Sequence, residues 1–340
     1  MSQTMQQVRL HGVQDVRLDQ VAVPSAGPRD VLVKIDVCGI CGSDLGYVAK
    51  GGLMGPTSEP FPLGHEMSGV LTAVGAEVSD LSIGMRVVVN PDDNMIGNGG
   101  AEGAFAPYLL VRNAKRDFNI YPIPGHIPPA IAALTEPLAV ALHGVNRAEV
   151  QPHHKAVVFG AGSIGLGVIV GLRQRGVTDI ISVDMVDSRL QLARQLGAKT
   201  TINPSREDFG AIVAREHGTS QMFGWPMVNT DVFIDAAGAA APLQQAVTMC
   251  RSGARFVIVA VHKQPVPLDL VMVMAKELVI TGSIAYPRDE FSEVIAMLSA
   301  GKVDVSAMIS HRFPLSEFPQ AFKTAQDTAH ALKVMVEMTT

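Results

Sequence analysis

The sequence predicts an α/β protein of two domains, one built of many short strands and one a doubly wound parallel sheet. Three observations carry that expectation. The chain has 340 residues, and at roughly 150 residues per domain that makes about two domains, each able to bury its own core. Up to about residue 137 short apolar segments alternate with turn residues, as in Val31-Leu32-Val33-Lys34-Ile35-Asp36-Val37, Gly69-Val70-Leu71-Thr72-Ala73-Val74 and Arg86-Val87-Val88-Val89, with no long helical period before Ile131. From Ala156 the order becomes apolar strand, glycine-rich turn, helical stretch and strand, repeated through Ile180 to Val183, Asp231 to Asp235 and Arg255 to Ala260. Such repetition is the pattern of βαβ units and a parallel sheet.

Between the two patterns, four prolines in the eight residues Pro122 to Pro129 mark irregular chain. They precede a helical run from Pro129 to Ala148, read as the bridge between domains. After Ile280-Thr281-Gly282 comes a mixed tail, with a helical stretch near Phe291 to Leu298 and short strands at Ile309 to Phe313 and Lys333 to Val336. This tail is expected to complete the first domain. Gly218 to Thr230 reads as a lengthened loop carrying Met222, Phe223, Trp225, Pro226 and Met227. It is more apolar than a solvated loop, and folding onto its own domain is favoured over a subunit or substrate contact.

Composition excludes several classes. The 32 acids and 27 bases give a net charge of -5 spread along the chain, which is no nucleic-acid footprint. The longest uncharged apolar stretch, Ala156 to Leu172, has 17 residues, five of them glycine, short of the ~20 that span a bilayer. Three cysteines cannot build a disulfide framework, and the polar start Met1-Ser2-Gln3-Thr4-Met5-Gln6-Gln7 lacks the charged and apolar regions of a leader. A reduced, cytoplasmic protein is the expectation.

Gly160-Ala161-Gly162-Ser163-Ile164-Gly165 follows the apolar strand Ala156-Val157-Val158-Phe159 and opens a helical stretch. The first glycine permits a tight turn, the second lets a pyrophosphate reach the backbone, and the third lets helix and strand pack closely. Free amides at the helix start then bind the phosphates. A second strand ends in Asp184, 19 residues after Gly165, where a carboxylate meets a ribose 2′-hydroxyl and repels a 2′-phosphate. NAD is therefore the expected cofactor. Arg189, five residues on, is read as a helix cap or a stacking partner for the adenine.

Ligand-type residues in the first domain fall in three clusters, Cys38 with Cys41, His65 with Glu66, and Glu136. Alone each is uninformative, and Cys38 alternates with apolar strand residues as a core residue would. Yet Gly39-Ile40-Cys41-Gly42-Ser43-Asp44, Gly64-His65-Glu66 and Glu136-Pro137-Leu138 appear in that order ahead of the glycine fingerprint. Over nearly its whole length the chain thereby resembles the zinc-dependent medium-chain alcohol dehydrogenases, and within them the sorbitol, threonine and butanediol dehydrogenase branch. The resemblance implies a GroES-like β-barrel over residues 1–137 and 285–340 and a Rossmann domain over 138–284, with the site in the cleft between. It implies a catalytic zinc on Cys41, His65 and either Glu66 or Glu136, leaving a position for water or the substrate oxygen. Asp44 matches the residue that orients the ligand histidine, and Ser43 matches the proton-relay hydroxyl.

The chain also departs from the family. Asn90 to Gly100 stands where many relatives carry four cysteines and has none, so one zinc per chain is expected and no structural zinc. The relay histidine common after the Ser-Asp pair is missing from Ser43-Asp44-Leu45-Gly46-Tyr47, and Ala285-Tyr286 replaces the Arg-Tyr of sugar-alcohol enzymes. Tyr47, Met95, Ile96 and Tyr286 are the expected pocket residues, for a secondary alcohol, diol or polyol. An edge strand such as Arg255 to Val261 is expected to pair with its copy in a homodimer or homotetramer. Two alternatives stand beside this reading: a zinc-free quinone or enone reductase, and a non-catalytic nucleotide-binding protein on the same fold.

Overall fold

In the strand Val31–Gly39 every second residue is apolar, and Val31, Val33, Ile35 and Val37 are all buried, as a sheet with one covered face requires. The computed structural model in which this is seen describes residues 3–338, so Met1 and Ser2 of the polar start lie outside the described residues, as do Thr339 and Thr340. Contacts divide the chain into two units, Met1–Glu136 with Arg288–Thr340, and Pro137–Pro287. The expected boundaries lie one and three residues away, and Tyr286 falls in the second unit.

The main sheet of the first unit runs in the order Ile309–Pro314, Lys333–Glu337, Val31–Gly39, Glu66–Val74, Arg86–Val89 and Ile120–Pro122, with Tyr108–Val111 also paired to Val31–Gly39. The tail thus returns to the first unit, its last strand setting Met335 opposite Gly39 and Glu337 opposite Val37. A smaller sheet orders Asp15–Ala22, Thr4–Gly12 and Phe61–Pro62. Val8 and Leu10 from it share one core with Cys38, Met67, Phe105 and Phe318.

In the second unit six parallel strands lie in the order Thr200–Ile202, Asp179–Val183, Lys155–Phe159, Val232–Asp235, Arg255–Ile258 and Val279–Gly282. By chain rank that is 3-2-1-4-5-6, the Rossmann order, with its switch point between Lys155–Phe159 and Val232–Asp235. The helix Ser163–Gln174 can lie close to Thr135–Arg147 because Gly167 and Gly171 have no side chains; a Cβ on Gly167 would stand 2.7 Å from that of Ala141.

Four local expectations are corrected. Arg255–Ile258 is flanked on both sides, and the sheet edge on that side is Val279–Gly282, whose Val279 and Ile280 are exposed. Four residues are too few to show a sheet edge by sequence pattern. The apolar loop is a hairpin of Thr219–Met222 and Trp225–Val228. Its turn, Phe223-Gly224, has positive φ at both residues, the two-residue geometry that follows the twist of paired strands. Met227 and Val228 fold back onto their own unit, while Phe223 is 91% exposed at the tip. The bridge helix is two helices, Pro129–Ala132 and Thr135–Arg147. Finally, a helix at Gly42–Lys50 interrupts the strand-rich half; two glycines in nine residues had hidden its period.

His217, ending the helix Phe209–His217, is fully buried with Nδ1 2.7 Å from Thr230 Oγ1. Burial pushes its imidazole down to about 4, so the folded protein keeps it neutral while the unfolded chain protonates near its ordinary value. The stability this provides is complete above about pH 6.5 and lost as the pH falls toward about 4, a range of about 3 kcal/mol. Urea unfolding at stepped pH is expected to show that slope, flattened in His217→Gln; an identical slope in the variant would contradict the assignment.

Candidate active site

Cys41 stands at the N-cap of the helix Gly42–Lys50, where the helix dipole favours negative charge. Asp44, three residues on, reaches back to accept the Cys41 amide at 2.9 Å, the reciprocal arrangement of a capping box. His65 follows Gly64, which turns with φ +94 so close to Phe105 that a Cβ would stand 2.8 Å from the ring. Glu66 then opens the strand Glu66–Val74. A helix start and a strand start thus deliver one sulfur, one imidazole nitrogen and one carboxylate oxygen to within 4.8 Å of one another.

His65 and Asp44 are buried, with His65 Nδ1 3.6 Å from Asp44 Oδ1, and among the described residues neither atom has a hydrogen-bond partner. Burial opposes the charged imidazole, but Asp44, Cys41 and Glu136 outweigh it and hold His65 well above its ordinary value. Burial raises Asp44. A mixed sulfur, nitrogen and oxygen set with such an orienting carboxylate matches what zinc takes.

Glu66 carries a partner that the sequence reading gave no role. Lys333 Nζ lies 2.6 Å from both of its carboxylate oxygens and donates to the Ile40 carbonyl at 3.2 Å. The side chains are 4% and 1% exposed. Burial works against the ammonium, and Glu66 restores and raises its proton affinity. The only hint in the sequence was a lysine heading an apolar last strand. Glu136, in the first turn of Thr135–Arg147, lies outside the close trio, yet it feels His65 and Glu66, and burial pushes its carboxyl up to about 7.

Ser43 Oγ lies 3.1 Å from His65 Nε2. Burial raises the Tyr47 phenol against the pull of the neighbouring Ser43 hydroxyl, and Tyr47 donates to Asn98 Oδ1 at 3.0 Å. Asn98, absent from the expected pocket, comes from the cysteine-free segment, which is bridged to Leu63 beside the site. Met95 is 48% exposed in left-handed backbone. Ile96 is fully buried within the first unit's apolar cluster. Tyr286 is buried in the second unit.

In the second unit Gly160 has φ +87, and a Cβ on it would stand 2.9 Å from the Ala236 carbonyl. Gly162 caps the helix Ser163–Gln174, which contains Ile164 and the buried Gly165. Asp184 accepts from the Ala161 amide at 2.7 Å and the Val186 amide at 2.8 Å, tying the glycine turn to the next strand end. Arg189 Nη1 comes within 3.8 Å of where a Cβ on Gly162 would lie.

Residues 27–124 match the alcohol dehydrogenase GroES-like domain, and residues 163–300 match the zinc-binding dehydrogenase domain. The chain is 30% identical over 338 residues to (R,R)-butanediol dehydrogenase of Bacillus subtilis, covering 92% of this chain and 93% of that one. It belongs to the zinc-dependent medium-chain alcohol dehydrogenase family. Human sorbitol dehydrogenase is 29% identical, with 96% and 94% covered. The crystal structure of 2R,3R-butanediol dehydrogenase from Bacillus subtilis superposes with a TM-score of 0.87 at 28% identity, over 98% of this chain and all of that one. As a member of the alcohol dehydrogenase family, the chain is an oxidoreductase acting on CH–OH donors.

Removing one partner of a buried ion pair strands the other charge at a cost of ~3–5 kcal/mol, whereas replacing both by apolar groups is close to neutral. In denaturant unfolding Lys333→Met is expected to lose about that much, and Lys333→Met with Glu66→Met to recover most of it. Equal losses in single and double variants would contradict the pairing.

Proposed function

We propose that this dehydrogenase oxidises a secondary alcohol, diol or polyol to the ketone or aldehyde with NAD, reversibly, using one zinc ion per chain and no structural zinc. The observation that carries the proposal is the convergence of Cys41, His65 and Glu66 beside the Ser43 hydroxyl. Cys41 and His65 would hold the ion, with Glu66 or Glu136 as the oxygen ligand. Lys333 engages both oxygens of Glu66, which favours Glu136 for that place. Bound zinc would lower the pKa of an alcohol hydroxyl, and NAD would supply the hydride acceptor.

The chain's own residues position and move the proton. Asp44 faces His65 Nδ1 and fixes the ring. Ser43 Oγ can accept the substrate hydroxyl proton as it hands its own to solvent water. Tyr47, its O–H committed to Asn98, turns oxygen lone pairs toward a donor, which suits a second substrate hydroxyl. The names of the relatives, butanediol and sorbitol dehydrogenases, agree with a vicinal diol or polyol.

Asp184 supports NAD over NADP, because a carboxylate beside the glycine turn accepts from a free ribose and repels a phosphate. The apolar edge strand Val279–Gly282, with Leu270, Val271 and Met274 exposed on the helix Leu270–Ala275, supports assembly of two or four copies through that edge. Among the described residues no helix is long and apolar enough to cross a membrane, and Cys38, Cys41 and Cys250 are unpaired; both agree with a reduced, cytoplasmic setting.

Elemental mass spectrometry of protein purified without added metal is expected to give one zinc per chain, lost in Cys41→Ser. With 2,3-butanediol or sorbitol, NAD reduction should exceed NADP reduction by at least about tenfold in kcat/KM. Absence of zinc before and after its addition, or a preference for NADP, would overturn the corresponding part of the proposal.

A further inference from the structure

Resting on the NAD reading above, we propose that Asp235 and His262 form an anchor for the nicotinamide end of the dinucleotide, His262 Nδ1 accepting a hydrogen bond from the carboxamide N–H. A dinucleotide spans the two halves of a doubly wound sheet outside the carboxyl ends of the strands, one nucleotide over each half. The glycine turn and Asp184 belong to the half formed by Thr200–Ile202, Asp179–Val183 and Lys155–Phe159, which assigns it the adenosine. The other half, Val232–Asp235, Arg255–Ile258 and Val279–Gly282, must then receive the nicotinamide.

At the carboxyl ends of that second half stands a built polar pair. Asp235, 2% exposed, closes its strand, and His262, four residues past Arg255–Ile258, sets Nε2 2.6 Å from Asp235 Oδ2. Asp235 Oδ1 accepts from the amides of Ala237 and Gly238 at 2.9 and 3.0 Å. The Asp235 carbonyl also accepts from the amides of Val259 and Ala260. One residue thereby joins the loop packed on the Gly160 turn to the loop that carries His262.

A carboxylate can only accept, so Nε2 is the donor in this pair, which leaves Nδ1 as the ring nitrogen able to serve as an acceptor. Among the described residues nothing hydrogen-bonds Nδ1. His262 instead lines a cavity of about 470 Å³ with Leu243, Ile258 and Lys263. A fixed acceptor at the open end of the nicotinamide half calls for a ligand donor, and the carboxamide amine is the N–H donor at that end of the cofactor. Neither residue belongs to the glycine fingerprint, and no sequence pattern singled them out.

Calorimetric titration of the full-length protein with NADH, with ADP-ribose and with the acetylpyridine analogue of NADH tests the assignment. ADP-ribose lacks the whole nicotinamide, and the analogue lacks only the carboxamide amine. One lost hydrogen bond corresponds to about tenfold in Kd. His262→Ala, and His262→Gln, which keeps a donor to Asp235 but offers no acceptor at Nδ1, are expected to bind NADH about tenfold more weakly, with ADP-ribose and the analogue within about twofold of wild type. Asp235→Asn should act in the same direction, since an amide donating to Nε2 turns Nδ1 into a donor. Equal weakening of NADH and ADP-ribose would show that the pair only braces the loops, and unchanged NADH binding would remove any role; either overturns the inference. Failure of the wild type to bind ADP-ribose would instead strike at the dinucleotide reading beneath it.

Discussion

A buried carboxylate needs a counter-charge, and at Glu66 that need ties the end of the chain to its beginning. Glu66 opens one strand, Lys333 opens the last, and Val31–Gly39 lies between them in the sheet. The ion pair can close over that middle strand because Gly39 has no side chain: a Cβ there would collide with Glu66 Oε2 and stand 3.3 Å from Lys333 Cδ. Residues 27–124, the span of the GroES-like match, contain Cys41, His65 and Glu66 without Lys333. Left alone, that segment would hold a carboxylate in apolar surroundings with no partner, a penalty of several kcal/mol. The closing strand is thus a condition of the site as well as of the sheet.

The second unit uses the same device in smaller form. Asp184 directly follows one parallel strand and Asp235 closes another, on opposite sides of the switch point, and each gathers backbone amides from the loops around it. Loops at the carboxyl ends of parallel strands have few ladder bonds of their own, so a fixed acid at each strand end sets their shape.

Much of this was legible in the sequence, for reasons that differ by element. The parallel sheet showed itself because strands covered on both faces are continuously apolar, as in Ala156 to Phe159, and because the glycine turn sits between strand and helix. Cys41, His65 and Glu66 were marked by ordered motifs, and the structure brings them together across 25 residues of chain. What remained illegible is pairwise and long-range. Lys333 meets Glu66 across 267 residues, Asn98 meets Tyr47 across 51, and His262 meets Asp235 across 27; no periodicity encodes such meetings. The edge strand and the Phe223-Gly224 hairpin escaped for the opposite reason, being elements of four residues with too few positions to show an alternation.

The central claim is a mixed-ligand zinc site centred on Cys41 and His65. Zinc K-edge X-ray absorption of the purified protein tests it most directly. The account predicts one sulfur at about 2.3 Å and the remaining nitrogen and oxygen ligands at about 2.0–2.2 Å, with the sulfur contribution vanishing in Cys41→Ser. Two or more sulfurs, or a spectrum unchanged by that substitution, would contradict it.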